Sequence, residues 1–213
     1  MTAQSHTKRF IFMAHVSDNN LGQMNDITTQ LEGATNILLE EPPIGQAREV
    51  CTSLLCTGLD NPNILFVSYT RQPSACIEQV ADEQRGNIGV ITAGDTVTPV
   101  EDDRATTESI STPSDLTGLG IQIGQFLSTW DSPVCVCFDS LTSMLQYVDF
   151  QMAYEFLHAV TGQVHAANAR AHFHIDPNAH DEQTVAGITS LFDATLSLAG
   201  EEPSVCTRKL LES

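Results

Sequence analysis

Asn36-Ile37-Leu38-Leu39-Glu40-Glu41-Pro42-Pro43-Ile44-Gly45-Gln46-Ala47-Arg48 is the stretch on which the fold turns. An apolar run enters a turn-forming cluster, and a helical pattern with Val50, Leu54 and Leu55 leaves it. A strand, loop and helix in that order form the setting of a phosphate-binding loop of pattern G-x-x-x-x-G-K-[ST]. Laid on that pattern, Glu41 stands for the first Gly, Gln46 for the second, Ala47 for the Lys and Arg48 for the Ser or Thr. Of the loop's glycines only Gly45 remains, one position out of place.

Outward from this stretch, apolar and helical segments alternate. Strands are predicted at 36–40, 64–69, 87–92, 133–138, 171–175 and 193–199, with a short edge strand at 9–14. Helical patterns fall at 20–34, 46–58, 72–83, 116–130, 150–167 and 182–192. Residues 93–112 read as a polar, exposed loop whose acids Glu101, Asp102 and Asp103 form a solvated charge run, and the tail after 199 reads as peripheral. The near-continuous apolar strands, such as Ile64-Leu65-Phe66-Val67, are those of a parallel sheet covered on both faces. The expectation is a three-layer α/β fold with a mostly parallel central sheet and helices on both faces. Its 213 residues suit one domain spanning 1–213, with a core over about 35–200.

The net charge is −18 and the chain has two lysines, Lys8 and Lys209. Self-repulsion of that kind is screened to a Debye length of about 3 Å at 1 M salt. Acid excess and scarce lysine point to a salt-adapted, halophilic archaeal cytosol. Direct nucleic-acid binding is disfavoured, since no Lys/Arg cluster could neutralise phosphates. No run of 18 apolar residues would span a membrane, and the four apolar residues Phe10–Met13 are too few for a signal-peptide core, so a cytoplasmic location is expected. Six cysteines occur without a C-x-x-C pair. Cys51, Cys56, Cys135 and Cys137 lie in apolar surroundings and read as small core residues, not metal ligands.

Three sets of residues could carry chemistry. Asp139 ends the apolar strand Val134-Cys135-Val136-Cys137-Phe138, at the edge where parallel sheets bind ligands. The same Asp139-Ser140-Leu141-Thr142 sequence could instead cap a short helix. His172 and His174 share one face of a strand, with His180 and Asp181 after a Pro-Asn turn. H-x-H with a further His or Asp can bind zinc, and equally such histidines sit hydrogen-bonded in cores. No G-x-S-x-G supports a serine nucleophile.

The order of Asn36–Arg48, Ile64–Tyr69, Cys137-Phe138-Asp139-Ser140-Leu141-Thr142, His172-Phe173-His174-Ile175-Asp176-Pro177 and Leu191-Phe192-Asp193 resembles that of RecA/KaiC-like P-loop ATPases. It is similar above all to a haloarchaeal family of degenerate, uncharacterised RecA/KaiC-like proteins. The resemblance implies that residues 41–48 are a vestigial phosphate loop, with Glu41, Gly45, Gln46, Ala47 and Arg48 at the nucleotide and Asp139 and Ser140 in the metal-supporting motif. Ala47 gives the phosphates no positive charge, and Glu40 and Glu41 bring carboxylates toward them. At about 4 Å and an effective dielectric of about 20, each such contact costs about 4 kcal/mol. KaiC-like relatives use acidic residues after the second strand to activate water, where this chain has Ser68-Tyr69-Thr70-Arg71. The expected protein is thus a pseudo-ATPase without cofactor, acting in signalling or regulation through a protein partner or self-association. ATP with magnesium at an atypical site is the alternative, and a metal-dependent hydrolase on His172, His174 and His180 the third reading.

Overall fold

The computed structural model describes residues 26–42, 50–51, 54, 57–80, 85–94, 100, 102–200 and 202–208. The edge strand expected at 9–14 lies outside them. Eight strands form one sheet: β1 (Asn36–Glu40), β2 (Asn63–Ser68), β3 (Ile88–Ala93), β4 (Ala105–Ile110), β5 (Val134–Asp139), β6 (Arg170–Ile175), β7 (Ala194–Ser197) and β8 (Ser204–Thr207). Their order is β4-β3-β2-β5-β6-β1-β7-β8, and all neighbours are parallel except β7 and β8. The helices are α1 (Pro73–Ile77), α2 (Leu116–Thr129), α3 (Leu141–Met144), α4 (Phe150–Ala166) and α5 (Glu182–Thr189), with further helical residues at 26–30 and at 50, 51 and 54.

One face of the sheet is covered by α2 and α4. In α4, Ala153, Phe156, Leu157, Val160 and Val164 recur at helical spacing and are buried against Val136, Phe138 and Phe173. Asp149 starts this helix by accepting the backbone N–H of Met152 (2.9 Å). Each large apolar side chain buried here contributes about 1.5–3 kcal/mol. Gly89 of β3 leaves the room that Phe126 and Trp130 fill, since a Cβ there would stand 2.7 Å from Phe126. The opposite face is covered by α1 and by the helical residues near 27 and 51, over Ile64, Phe66 and Val90 on one side and Ile37 and Leu39 on the other. The expected three-layer α/β architecture is therefore present.

Asp193 fixes where β1 begins. Its Oδ2 accepts from the Thr35 backbone N–H (3.1 Å), the Thr35 hydroxyl (2.7 Å) and the Asn36 backbone N–H (2.9 Å). These bonds tie the turn before β7 to the strand that β7 pairs with.

The sequence reading needs correction at three places. Ala105–Ile110, inside the expected exposed loop, is the edge strand β4. Its residues alternate between half-buried and exposed, and its only apolar members are Ala105 and Ile110, so it carries almost no hydrophobic signal. Asp102 is not a solvated charge: it pairs with the buried guanidinium of Arg85 (2.7 Å) and accepts the Arg104 backbone N–H (2.9 Å). Those bonds hold its carboxyl below the usual range, the Arg85 contact most of all. Finally, part of the expected peripheral tail is β8, the antiparallel edge beyond β7. Short polar edge strands are formed by backbone pairing and leave little pattern in the side chains.

Candidate functional site

Parallel strands whose onward connections leave in opposite directions open a crevice at their carboxyl ends. Here β2 continues to β3 on one side and β5 continues to β6 on the other, and β2 and β5 are neighbours. Asp139, the last residue of β5, stands in that crevice beside Ser68, its register partner on β2. Its Oδ2 is 3.5 Å from Nη1 of Arg71, and Arg71 Nη2 donates to the Ala75 carbonyl (2.8 Å) and to Gln79 Oε1 (2.6 Å). The Ser68 hydroxyl accepts the Arg71 backbone N–H (2.8 Å), which sets the turn that returns Arg71 to the crevice. Beside it lies a polar cleft of about 110 Å³ lined by Ser68, Tyr69, Arg71, Thr92 and Gly94. Tyr69 donates to the Pro113 carbonyl (3.1 Å), and burial raises its pKa, with Tyr147 adding to the effect. Ser140 caps α3, accepting the backbone N–H of Ser143 (3.2 Å).

The other expected site residues divide. Gly45, Gln46, Ala47 and Arg48 lie outside the described residues. Glu41 extends the β1–β6 pairing by one bond, its N–H donating to the Ile175 carbonyl (2.9 Å), and its Oε1 lies 3.0 Å from Nδ1 of His174. His180 does not join the other two histidines. The Asp176-Pro177 turn carries it to Thr142, where Nε2 and Oγ1 are 3.3 Å apart.

His172 and His174 meet two cysteines that the sequence reading assigned to plain core packing. Cys51, Cys137, His172 and His174 bring one ligand atom each to within 4.8 Å of one another. The sulfurs of Cys51 and Cys137 are 3.4 Å apart, Cys51 Sγ is 3.7 Å from His172 Nδ1, and Cys137 Sγ is 3.4 Å from His174 Nε2. The sheet builds three corners: Cys137 and His172 are register partners on β5 and β6, and His174 lies two residues on, facing the same way. The helical stretch after β1 supplies the fourth, Cys51. All four are at most 4% exposed. Cys135 shares the face of Cys137 but is not among the four.

The electrostatics are those of close, mutually dependent groups. The bond from Cys137 holds the Cys51 thiol well below the usual range against the effect of burial, with His172 and His174 adding to it. The same bond and burial push Cys137 well above that range. Burial opposes a charged His174, but Cys51 and Glu41 outweigh it and raise its pKa to about 10. Two sulfurs and two imidazoles converging within 4.8 Å, one imidazole held by a carboxylate, are a donor set suited to a divalent metal such as zinc.

Residues 34–198 match the family of unknown function DUF7504. The chain belongs to that family. No curated protein matches it in sequence. Among solved structures it is similar to a Pyrococcus horikoshii OT3 protein from a structural study (project PH0250), with a TM-score of 0.59 at 13% identity over 89% of this chain and 94% of that one. It is also similar to the flagellar accessory protein FlaH of Methanocaldococcus jannaschii, with a TM-score of 0.50 at 10% identity over 84% of this chain and 81% of that one. At these identities the likeness is one of fold: a RecA-like α/β architecture, as expected from the order of segments. Among the described residues no helix is long and apolar enough to cross a membrane.

Proposed function

We propose that this protein is a RecA/KaiC-like domain that has lost nucleotide turnover and works through protein contacts, in signalling or regulation. The observation that carries the reading is the Arg71–Asp139 pair. The carboxylate that would support Mg²⁺ in an ATPase of this fold is engaged by a cation from the turn where KaiC-like relatives place their water-activating acids. A metal ion entering there must displace a guanidinium that three acceptors hold. Glu41, at the start of the vestigial phosphate loop, is likewise engaged by His174. The cleft beside Arg71, at about 110 Å³, is below the roughly 300–1,000 Å³ of ordinary ligand pockets. Ala47 adds no charge for a phosphate, and the scarcity of lysine makes the whole surface repel polyanions.

Protein contact needs an apolar surface, and α2 and α4 supply one. Between them runs a groove of about 400 Å³ lined by Leu116, Gly120, Ile121, Met152, Phe156 and Ala159. Ile121 is 58% exposed and Met152 47%, high values for large apolar side chains. The acid excess supports a salt-adapted archaeal host, so the assays belong in multi-molar potassium chloride.

Titration calorimetry with Mg-ATP, paired with a phosphate-release assay, tests the reading. No heat of binding and no release above buffer is the expected result. Turnover abolished by Asp139→Ala would overturn it in favour of an atypical ATPase.

A further inference from the structure

We propose that Cys51, Cys137, His172 and His174 form a closed structural zinc site, with Glu41 as the carboxylate that orients His174. Tetrahedral zinc has Zn–S distances of about 2.3 Å and Zn–N distances of about 2.0–2.1 Å, so its ligand atoms stand about 3.3–3.8 Å apart. Of the six pairs among these ligands, three measure 3.4, 3.7 and 3.4 Å and all lie within 4.8 Å, so a small inward shift of side chains would close the tetrahedron. Two sulfurs and two imidazoles in that arrangement select zinc over magnesium or calcium, which take oxygen ligands.

Hydrogen bonding within the core does not account for the four residues. Thiols are weak donors and acceptors, and His172 turns Nδ1 to one of them at 3.7 Å, which leaves that nitrogen weakly satisfied. A buried imidazole so poorly satisfied is costly unless another ligand takes its lone pair. A Cys51–Cys137 disulfide would remove both thiols as donors to the imidazoles. His174, by contrast, has the arrangement of a metal ligand: Glu41 lies on Nδ1 and Nε2 faces Cys137 and the centre of the four, where zinc would bind in place of the Nε2 proton.

The site's place in the fold defines its task. Four protein ligands would fill the tetrahedron and their burial would keep water out, so the metal is structural and not catalytic. Cys51 lies just after the vestigial phosphate loop and Glu41 at its start, while Cys137 and His172–His174 belong to β5 and β6. Zinc would therefore pin both ends of that loop to the sheet, through a ligand at one end and through Glu41 at the other. The bond joins Cys51 to partners 86 and 121 residues away in the chain. This inference is independent of the proposed function, since neither the presence nor the absence of Mg-ATP binding bears on zinc.

The test uses the full chain, produced with zinc sulfate and purified under reducing conditions. Elemental analysis by mass spectrometry is expected to find one zinc per chain. Replacement of that zinc by cobalt(II) should give the visible absorption of tetrahedral cobalt and a sulfur-to-cobalt charge-transfer band. Cys135→Ala should keep both signals and Cys137→Ala should lose the charge-transfer intensity of one sulfur. Should Cys137→Ala fail to fold, Glu41→Gln reads the same site more gently: zinc affinity falls about 10–100-fold, measured by competition with a chelator. Folded, reduced wild-type protein that takes up neither zinc nor cobalt would overturn the proposal. So would a Cys51–Cys137 disulfide in protein never exposed to oxidant, seen as two thiols that resist alkylation in denaturant with chelator and react only after a reductant is added.

Discussion

The two faces of β5 and β6 are made by alternate residues of the same two strands, yet they differ in kind. On one face Val136, Phe138, Ala171 and Phe173 are wholly buried, with the rings of Phe138 and Phe173 stacked at 5.6 Å. On the other Cys135, Cys137 and His172 are as completely buried, with His174 close behind. A buried face is filled at least cost by apolar side chains, because polar groups there need partners. The first face therefore explains itself through stability. The second places sulfur and imidazole where valine and phenylalanine would serve the fold better, and its residues converge on a point. The difference places the convergence of sulfur and imidazole on one side of these two strands.

The largest effect is expected from breaking the apolar face. Phe173→Ala should cost about 3–5 kcal/mol in denaturant unfolding, by the same amount with and without a zinc chelator. On the polar face the loss should depend on metal. Zinc at a hundredfold its Kd stabilises by about 2.7 kcal/mol, a gain that chelation removes from the wild type and that Cys137→Ala lacks from the outset. Arg71→Ala leaves Asp139 without its cation; for a half-buried pair the cost should be about 1 kcal/mol by chemical denaturation, with zinc content unaffected. Cys135→Ala is the control that sharpens the contrast, with a cost of at most about 1 kcal/mol and no change in metal stoichiometry.

The strands were legible because burial on both faces makes continuous apolar runs, as in Ile64-Leu65-Phe66-Val67 and Val134-Cys135-Val136-Cys137-Phe138. The edge strands β4 and β8 were not, since backbone pairing forms them and their side chains are mostly polar or partly exposed. Asp139 at the crevice was legible from its position after an apolar strand. Its Arg71 partner was not, because the turn set by Ser68 Oγ brings that cation back, and nothing in residue spacing reports it.

The Cys/His cluster was half legible. His172 and His174 share a face by alternation alone, and so do Cys135 and Cys137. Two such pairs on strands that could be neighbours were the available signal, and hydrophobic surroundings drew the cysteines into the core reading instead. Which cysteine meets which histidine follows from the register that sets Cys137 against His172, and this is a tertiary fact. Cys51 is farther still from inference, because the docking of a helix on the sheet decides its contact. His180 failed as a candidate since the Asp176-Pro177 turn leads the chain away to Thr142.

X-ray absorption at the zinc edge of the 213-residue chain tests the central claim most directly. Two sulfurs at about 2.3 Å and two nitrogens at about 2.0–2.1 Å from each zinc are expected, with one sulfur lost in Cys137→Ala. A first shell of oxygen and nitrogen alone, unchanged by that substitution, would contradict it.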